Sequence, residues 1–386
     1  MMVPKAAATL SWSGRGRTLH ERSGQKGRGG CLGRTSMSRF DRRDILKFAA
    51  AAPFGAALIH SPLAHAAAGS GIRGQQGKKI TLKFGSSQPT HTENAHTVFF
   101  DAFLAEMTKR TNGDIGAIFY GDSQLGPENK YSNQINSGTM DMMMTVSDWT
   151  PIVPEIGVLT MGFLFDSLDQ TGKVMDGKAG QLLQDIFKKK TKAEILGWCY
   201  NFGGRNVLTK KPITTAAEFH GLKLRVLPSP TYVETFRLLG ADPVPMSFKE
   251  IYTSLETGVI EGLEHDPPTI LQFKFYEMAK NYTMTRHIFD PSSPIVSDAT
   301  MAKLSSAEQQ SLREAGKIGV QHQRTKASAA AKEALDTLKQ NSLKTIDIDR
   351  KQLTDEVKPM WKTFTDQHPD TKPVLEAILA ETGKTA

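Results

Sequence analysis

Between residues 79 and 146 the chain changes its hydrophobic period several times. In "KITLKFGSS" the apolar residues Ile80, Leu82 and Phe84 alternate with polar ones, which predicts a strand. In "THTENAHTVFFDAFLAEMTKRTNG" the apolar positions Ala95, Val98, Phe99, Ala102, Phe103 and Met107 recur at helical spacing. Thr90 and Glu93 have the spacing of a capping box, and Gly113 is placed to stop the helix. "DIGAIFYG" reads as a second strand, "PENKYSNQINSG" as a short helix and "MDMMMTV" as a third strand. Strand and helix alternate, which predicts an α/β unit with a largely parallel sheet. Residues 69–79 are polar and glycine-rich and read as a flexible leader.

The alternation returns further on. "EILGWCYNFG" and "KLRVL" read as strands, while "TYVETFRLLG" and "KEIYTSLETG" read as helices that end at Gly240 and Gly258. Two α/β units predict two lobes with a cleft between them. Residues 305–340 keep a helical pattern with Gly316 and Gly319 inside it. A continuous helix of about 34 residues is about 50 Å long, enough to cross both lobes. The expected division puts residues 67–202 and 291–330 in the first lobe, and 203–290 and 331–386 in the second. There is no internal repeat, and no low-complexity segment after residue 78.

The net charge of +8 suggests an anionic partner until its distribution is examined. Residues 1–66 hold 11 Lys/Arg against 3 Asp/Glu, and the remaining 320 hold 37 of each. The basic character belongs to the N-terminal segment, so nucleic acid is not an expected partner. That segment reads as an export signal: paired Arg42 and Arg43, an apolar run over 48–59, and the small-residue pattern Ala64-His65-Ala66. The run is shorter than the about 20 residues that span a bilayer. The arginine pair with Ile45, Leu46 and Lys47 resembles a twin-arginine signal, with Asp41 where Ser or Thr is usual. Residues 37–66 are therefore expected to be a cleaved signal, and the mature protein to be periplasmic. Residues 1–36 fit no signal pattern and read as a disordered or mis-assigned extension, with translation expected to start at Met37. Cys31 lies in that extension, which leaves Cys199 as the one thiol of the mature chain and no intrachain disulfide.

Several stretches together carry a family resemblance: "SQLG" (123–126), "GGRNVLTKKPI" (203–213), "GLKLRV" (221–226), "LGADPVPMSFKEIYTSLETGVIEG" (239–262) and "KFYEMAK" (274–280). In this order they resemble the substrate-binding protein of a tripartite ATP-independent periplasmic (TRAP) transporter, of the DctP-like family, over about residues 78–370. The resemblance implies an α/β periplasmic binding fold of two lobes, with a long helix spanning both. It implies an organic-acid ligand held between the lobes and delivery to membrane permease subunits, usually coupled to sodium. By its match to the family's "GLK" strand, Arg225 is the residue implied to grip the ligand carboxylate. A guanidinium suits that task because its planar fork of donors matches a carboxylate and stays charged. Arg205 after the paired glycines and Phe248 in "PMSFKEIY" match other positions of the cleft. Glu264-His265 stands where many members have Glu-Asn, so His265 is expected to donate to the ligand from a ring nitrogen. Trp149, His91, Tyr252 and Glu264 complete the expected binding set, the first three each with core packing or a loop role as its alternative. Gly162 stands where the family usually has Pro.

A periplasmic enzyme is the competing class. A helical HExxH, a Gly-x-Ser-x-Gly elbow and a Walker A loop are absent from the sequence. His91 and His96 do not have the spacing that puts two imidazoles on one helical face, and Cys199 and the Met140–Thr145 run read as core strands. No catalysis, cofactor or metal is expected. A binding protein that reports to a membrane receptor would have the same sequence features. The ligand is open among dicarboxylates, sugar acids, 2-oxo acids and aromatic acids, and the chain is expected to be a monomer or homodimer. N-terminal sequencing of the unprocessed precursor is expected to begin at Met37; any residue upstream would overturn that start.

Overall fold

The computed structural model describes residues 73–145 and 147–385. The expected signal and extension lie outside them. The described residues form fourteen strands, numbered in chain order: β1 (Arg73–Gln75), β2 (Ile80–Gly85), β3 (Ile115–Tyr120), β4 (Met142–Met144), β5 (Ala193–Ile195), β6 (Cys199–Tyr200), β7 (Arg205–Thr209), β8 (Lys223–Val226), β9 (Asp242–Pro245), β10 (Gly262–His265), β11 (Asn281–Ile288), β12 (Pro291–Ser292), β13 (Pro294–Ser297) and β14 (Lys344–Ile346).

Two six-stranded sheets are the frames of two lobes. The first has the order β1-β3-β2-β4-β13-β5 and the second β14-β11-β7-β10-β8-β9, with a two-stranded β12-β6 pair at the crossover. In the first sheet β2 runs parallel to both β3 and β4; in the second β8 runs parallel to both β9 and β10. The chain passes between lobes after β6, returns at β12, and crosses again along a single helix, Ser306–Gln340. That helix packs on helix Ala95–Arg110 of the first lobe and on helix Pro267–Gln272 of the second. Its 35 residues correspond to about 50 Å of length, as the sequence implies. Ser305 caps it, and Glu308 accepts from the Ser305 backbone N–H at 2.8 Å.

Three expectations are corrected. The leader is not wholly free: Arg73–Gln75 pairs antiparallel with β3 as β1. The first helix is capped by Asn94, not Thr90. Asn94 Oδ1 accepts from His96 N and Thr97 N, and Thr97 Oγ1 accepts from Asn94 N. An Asn side chain satisfies the free amides of a first turn as well as a Thr does, so composition alone left the start ambiguous by one turn. Residues 331–386 do not all belong to the second lobe. β14 joins the second sheet, but helix Lys372–Thr382 packs on helices Leu168–Asp176 and Lys178–Lys190 of the first. Trp361 Nε1 donates to Gly162 O, and Glu381 accepts from Ala179 N. The apolar faces of these C-terminal helices, Trp361, Leu375 and Ile378 among them, join the large core that contains the first lobe and reaches into the second.

The spanning helix lies close against the first lobe at Gly319. A Cβ there would stand 2.8 Å from Phe99 Cε2 and 3.2 Å from Phe99 O. The ring is one of a run of packed phenylalanines: Phe99 stacks on Phe103 at 5.7 Å and lies 6.2 Å from Phe84. Gly319→Val is expected to cost about 1–3 kcal/mol in urea unfolding through overpacking. An unchanged midpoint would mean that the helix can shift away from Phe99.

Candidate ligand-binding site

The strand ends explain where the site lies. In both sheets the parallel strands point their C-terminal ends the same way, and in open α/β sheets those ends meet the ligand crevice. Beyond β2 come Ser87 and Gln88, beyond β3 Ser123, and beyond β4 Thr145, Ser147 and Asp148. From the second lobe come Arg225 near the end of β8, Met246 to Phe248 beyond β9, and His265 at the end of β10. All of these line one cavity of about 360 Å³, together with Arg205, Asn201, Glu128 and Asp290. The volume is that of a small-molecule site.

Arg225 is 2 % exposed. Its Nε and Nη2 both donate to Met246 O, at 3.2 and 3.0 Å, which fixes the plane of the guanidinium. Its Nη1 is buried and without a hydrogen-bond partner. Among the described residues no carboxylate lies within ion-pair distance of it. Burial pulls its pKa down to about 10, so it is still charged at neutral pH. Phe248 covers one side, its ring centre 6.0 Å from the guanidinium carbon. Phe248 is itself held edge-on by Phe273 at 4.5 Å and His265 at 5.8 Å.

Arg205 is committed elsewhere. Its Nε and Nη2 grip Glu264 at 2.5 and 2.8 Å, and Nη2 also donates to Glu264 O at 3.2 Å. Burial works against both charges, but each partner outweighs that cost for the other: the Arg205 pKa is raised and that of Glu264 held well below the carboxylate range. His287 adds a contact to Glu264 at 3.2 Å. Gly203, with φ +117, turns the chain into β7 just before Arg205, a conformation that favours glycine.

His265 Nδ1 lies 2.7 Å from Asp266 Oδ2 and 3.1 Å from Asp266 N. Burial, aided by Arg205, lowers its pKa and keeps the ring neutral. Nδ1 is thus engaged by Asp266 from two sides, by a carboxylate oxygen that accepts and by a backbone N–H that donates. His265 lines the cavity as expected. In the opposite lobe His96 Nδ1 lies 2.8 Å from Ser86 Oγ.

Four expected residues do not line the cavity. Glu264 sits behind it and holds Arg205. Trp149 is fully buried in the core of the first lobe, edge-on to Phe187 at 4.6 Å. It ends the 3₁₀ turn Ser147–Trp149, where successive side chains point about a third of a turn apart. The turn that sends Trp149 into the core leaves its neighbour Asp148 on the cavity. Tyr252 is 45 % exposed. A 3₁₀ turn, Phe248–Glu250, precedes its α-helix, so Tyr252 does not fall on the same face as Phe248, as unbroken α-helical spacing of four residues would place it. His91 is exposed, and the same loop reaches the cavity through Ser87 and Gln88 instead. Glu128, Asp148, Asp290 and Asn201 were not singled out from the sequence. Their shared signal is position: each lies in a connection that borders the crevice. Among the described residues no group of three or more His, Cys, Asp or Glu is placed to hold a metal.

Two lobes, a polar cavity between them and a buried arginine inside it define a periplasmic-binding-protein architecture. The model of "Bacterial extracellular solute-binding protein, family 7" (DctP) matches residues 84–367, and the chain belongs to that family. It is 30% identical over 278 residues to the 2,3-diketo-L-gulonate-binding periplasmic protein YiaO of Escherichia coli, across 71% of this chain and 84% of the relative. The fold matches a TRAP periplasmic solute-binding protein of Chromohalobacter salexigens with bound D-glucuronate, at TM-score 0.74 and 26% identity, over 78% of this chain and 99% of that one. It also matches the sugar acid binding protein DctPAm of Advenella mimigardefordensis in complex with galactonate, at TM-score 0.73 and 25% identity, over 80% and 100% of the two chains. No helix among the described residues is long and apolar enough to cross a membrane.

The buried His96 gives the site a signature in acid. Burial lowers its pKa from 6.5 to about 4, so the unfolded chain takes up a proton that the folded one refuses. Its contribution is full above pH 6.5 and is lost as pH falls towards 4, by up to about 3 kcal/mol. Urea unfolding of His96→Gln is expected to show a smaller loss between pH 7 and 4.5 than the unmodified protein. Equal losses would mean that His96 is protonated alike in both states.

Proposed function

We propose that this protein captures a small organic acid of the sugar-acid class in the periplasm and delivers it to a membrane permease of the TRAP type. The observation that carries the reading is Arg225: a fully buried guanidinium with no carboxylate partner among the described residues and a free Nη1 on the cavity wall. Burying an unpaired charge is costly, and a ligand carboxylate supplies the missing partner. Met246 O already holds the guanidinium in place, so little ordering entropy is lost when the ligand arrives. Phe248 covers the body of the ligand, and neutral His265 supplies a hydrogen-bonding ring nitrogen for a hydroxyl. The sugar acids bound by the relatives combine a carboxylate with several hydroxyls, which is the pairing these groups serve. Closure of the lobes removes water and strengthens the charged contact. The reading is binding without chemistry: the thiol of Cys199 is buried and its pKa pushed up, so it is no nucleophile.

Each charged hydrogen bond to the carboxylate is worth about 1.5–3 kcal/mol. Arg225→Ala is therefore expected to weaken binding of a responsive sugar acid at least tenfold in titration calorimetry. Its melting temperature without ligand should stay level or rise, because an unpaired buried charge is removed. Unchanged affinity would remove Arg225 from the site.

A further inference from the structure

Carboxylates line the same cavity as Arg225, and the proposed function does not use them. Glu128 opens the 3₁₀ turn Glu128–Lys130 and Asp148 stands in the turn Ser147–Trp149, both on the first lobe. Both line the same cavity as Arg225. Asp148 Oδ2 is buried and has no hydrogen-bond partner; Asp290 Oδ1, on the same cavity, is in the same condition. The second oxygen of Asp290 accepts from Tyr232 at 3.1 Å. The cavity thus offers both a free donor, Arg225 Nη1, and free carboxylate oxygens on Asp148 and Asp290.

We infer that Glu128 and Asp148 are specificity residues: they admit acids with a single carboxylate and hydroxyls along the rest of the molecule, and turn away acids with a second carboxylate at the far end. The inference rests on the proposed function, since it takes the first carboxylate to lie on Arg225. Its physical basis is that an ionised carboxylate accepts O–H bonds from a hydroxyl but repels another carboxylate, and a cavity closed to water screens that repulsion poorly. Burial raises the pKa of both residues, and the charge of Glu128 raises that of Asp148 further, while Ser87, Thr145 and the two arginines hold Glu128 down. The pair therefore holds on to protons more readily than free carboxyls do, and the negative charge it keeps is what a second ligand carboxylate meets. Of the other charges on the cavity, Arg205 is taken by Glu264, His265 is neutral, and Lys249 and Glu250 are exposed and of opposite sign.

The test is titration calorimetry with two matched pairs: glucuronate against glucarate, and galactonate against galactarate. Within each pair the carbon skeleton is the same and the second acid has a carboxylate at both ends. The unmodified protein is expected to bind the better monoacid at least tenfold tighter than its diacid. In the doubly substituted Glu128→Gln, Asp148→Asn protein that ratio is expected to fall below threefold, mostly through tighter diacid binding. Melting temperatures of the variants serve as the folding control, and each single substitution is expected to fall between. A diacid that binds the unmodified protein as tightly as its monoacid overturns this inference alone, as does a ratio unchanged by the double substitution. Failure of the unmodified protein to bind any of the four acids overturns it together with the sugar-acid reading on which it rests.

Discussion

The ion pair of Arg205 with Glu264 is the interaction on which the site depends. It is buried on both sides, ties the start of β7 to β10, and is extended by His287 from β11. It therefore lies where the second sheet meets the strands that lead to the first lobe. Tyr232 packs its ring 5.3 Å from the Arg205 guanidinium carbon. Removing one member of such a pair leaves the other as an uncompensated buried charge, which typically costs about 3–5 kcal/mol. The pair has an electrostatic consequence too. With Arg205 neutralised by a carboxylate of the protein, Arg225 remains the buried cation on the cavity without such a partner among the described residues. Two arginines from neighbouring stretches of sequence thus differ in their pairing, and the difference is made by Glu264.

Much of the fold was legible because its elements are long and strongly patterned. The alternation of Ile80, Leu82 and Phe84, the helical spacing from Ala95 to Met107 and the unbroken helix before Gln340 each impose one period over many residues. The C-terminal helices were harder. Their apolar faces do not say which lobe they cover, since amphipathicity fixes that a face is buried but not against what. The site was legible where the resemblance supplied residues, as for Arg225, Arg205, His265 and Phe248, which the structure brings to one cavity. It failed where side-chain direction mattered. Trp149 and Tyr252 were placed by sequence neighbourhood, yet a 3₁₀ turn redirects one residue relative to the next. Glu128 and Asp148 were missed for a related reason: acidic residues in turns are ordinarily solvated, and nothing local in the sequence marks one that is not.

The chemistry of the two walls follows from topology. Parallel strands bring their C-terminal ends to one edge, and the connections beyond them must run along that edge. In the first lobe those connections carry Ser87, Thr145 and Asp148; in the second they carry Met246 and Phe248. A polar wall and a wall of one cation with aromatic cover are thereby set face to face without any residue of one lobe specifying a residue of the other. His265 shows how little is needed to change the outcome. Asp266 beside it engages its Nδ1 with both a carboxylate oxygen and a backbone N–H, so the neighbour in sequence decides how the ring sits at the cavity.

The helix Ser306–Gln340 belongs to both lobes at once. Leu312 and Ala315, near its start, are buried in the core of the first lobe, and Leu338, near its end, in the core of the second. A rod clamped at two places converts any rotation between the clamps into curvature or into slippage at one of them. The tight seat of Gly319 on Phe99 opposes slippage at the first clamp. Curvature is then the softer response, because long helices bend gently at low cost. The helix acts as a leaf spring between the lobes: rotation of one against the other is resisted by the stiffness of a backbone that belongs to both.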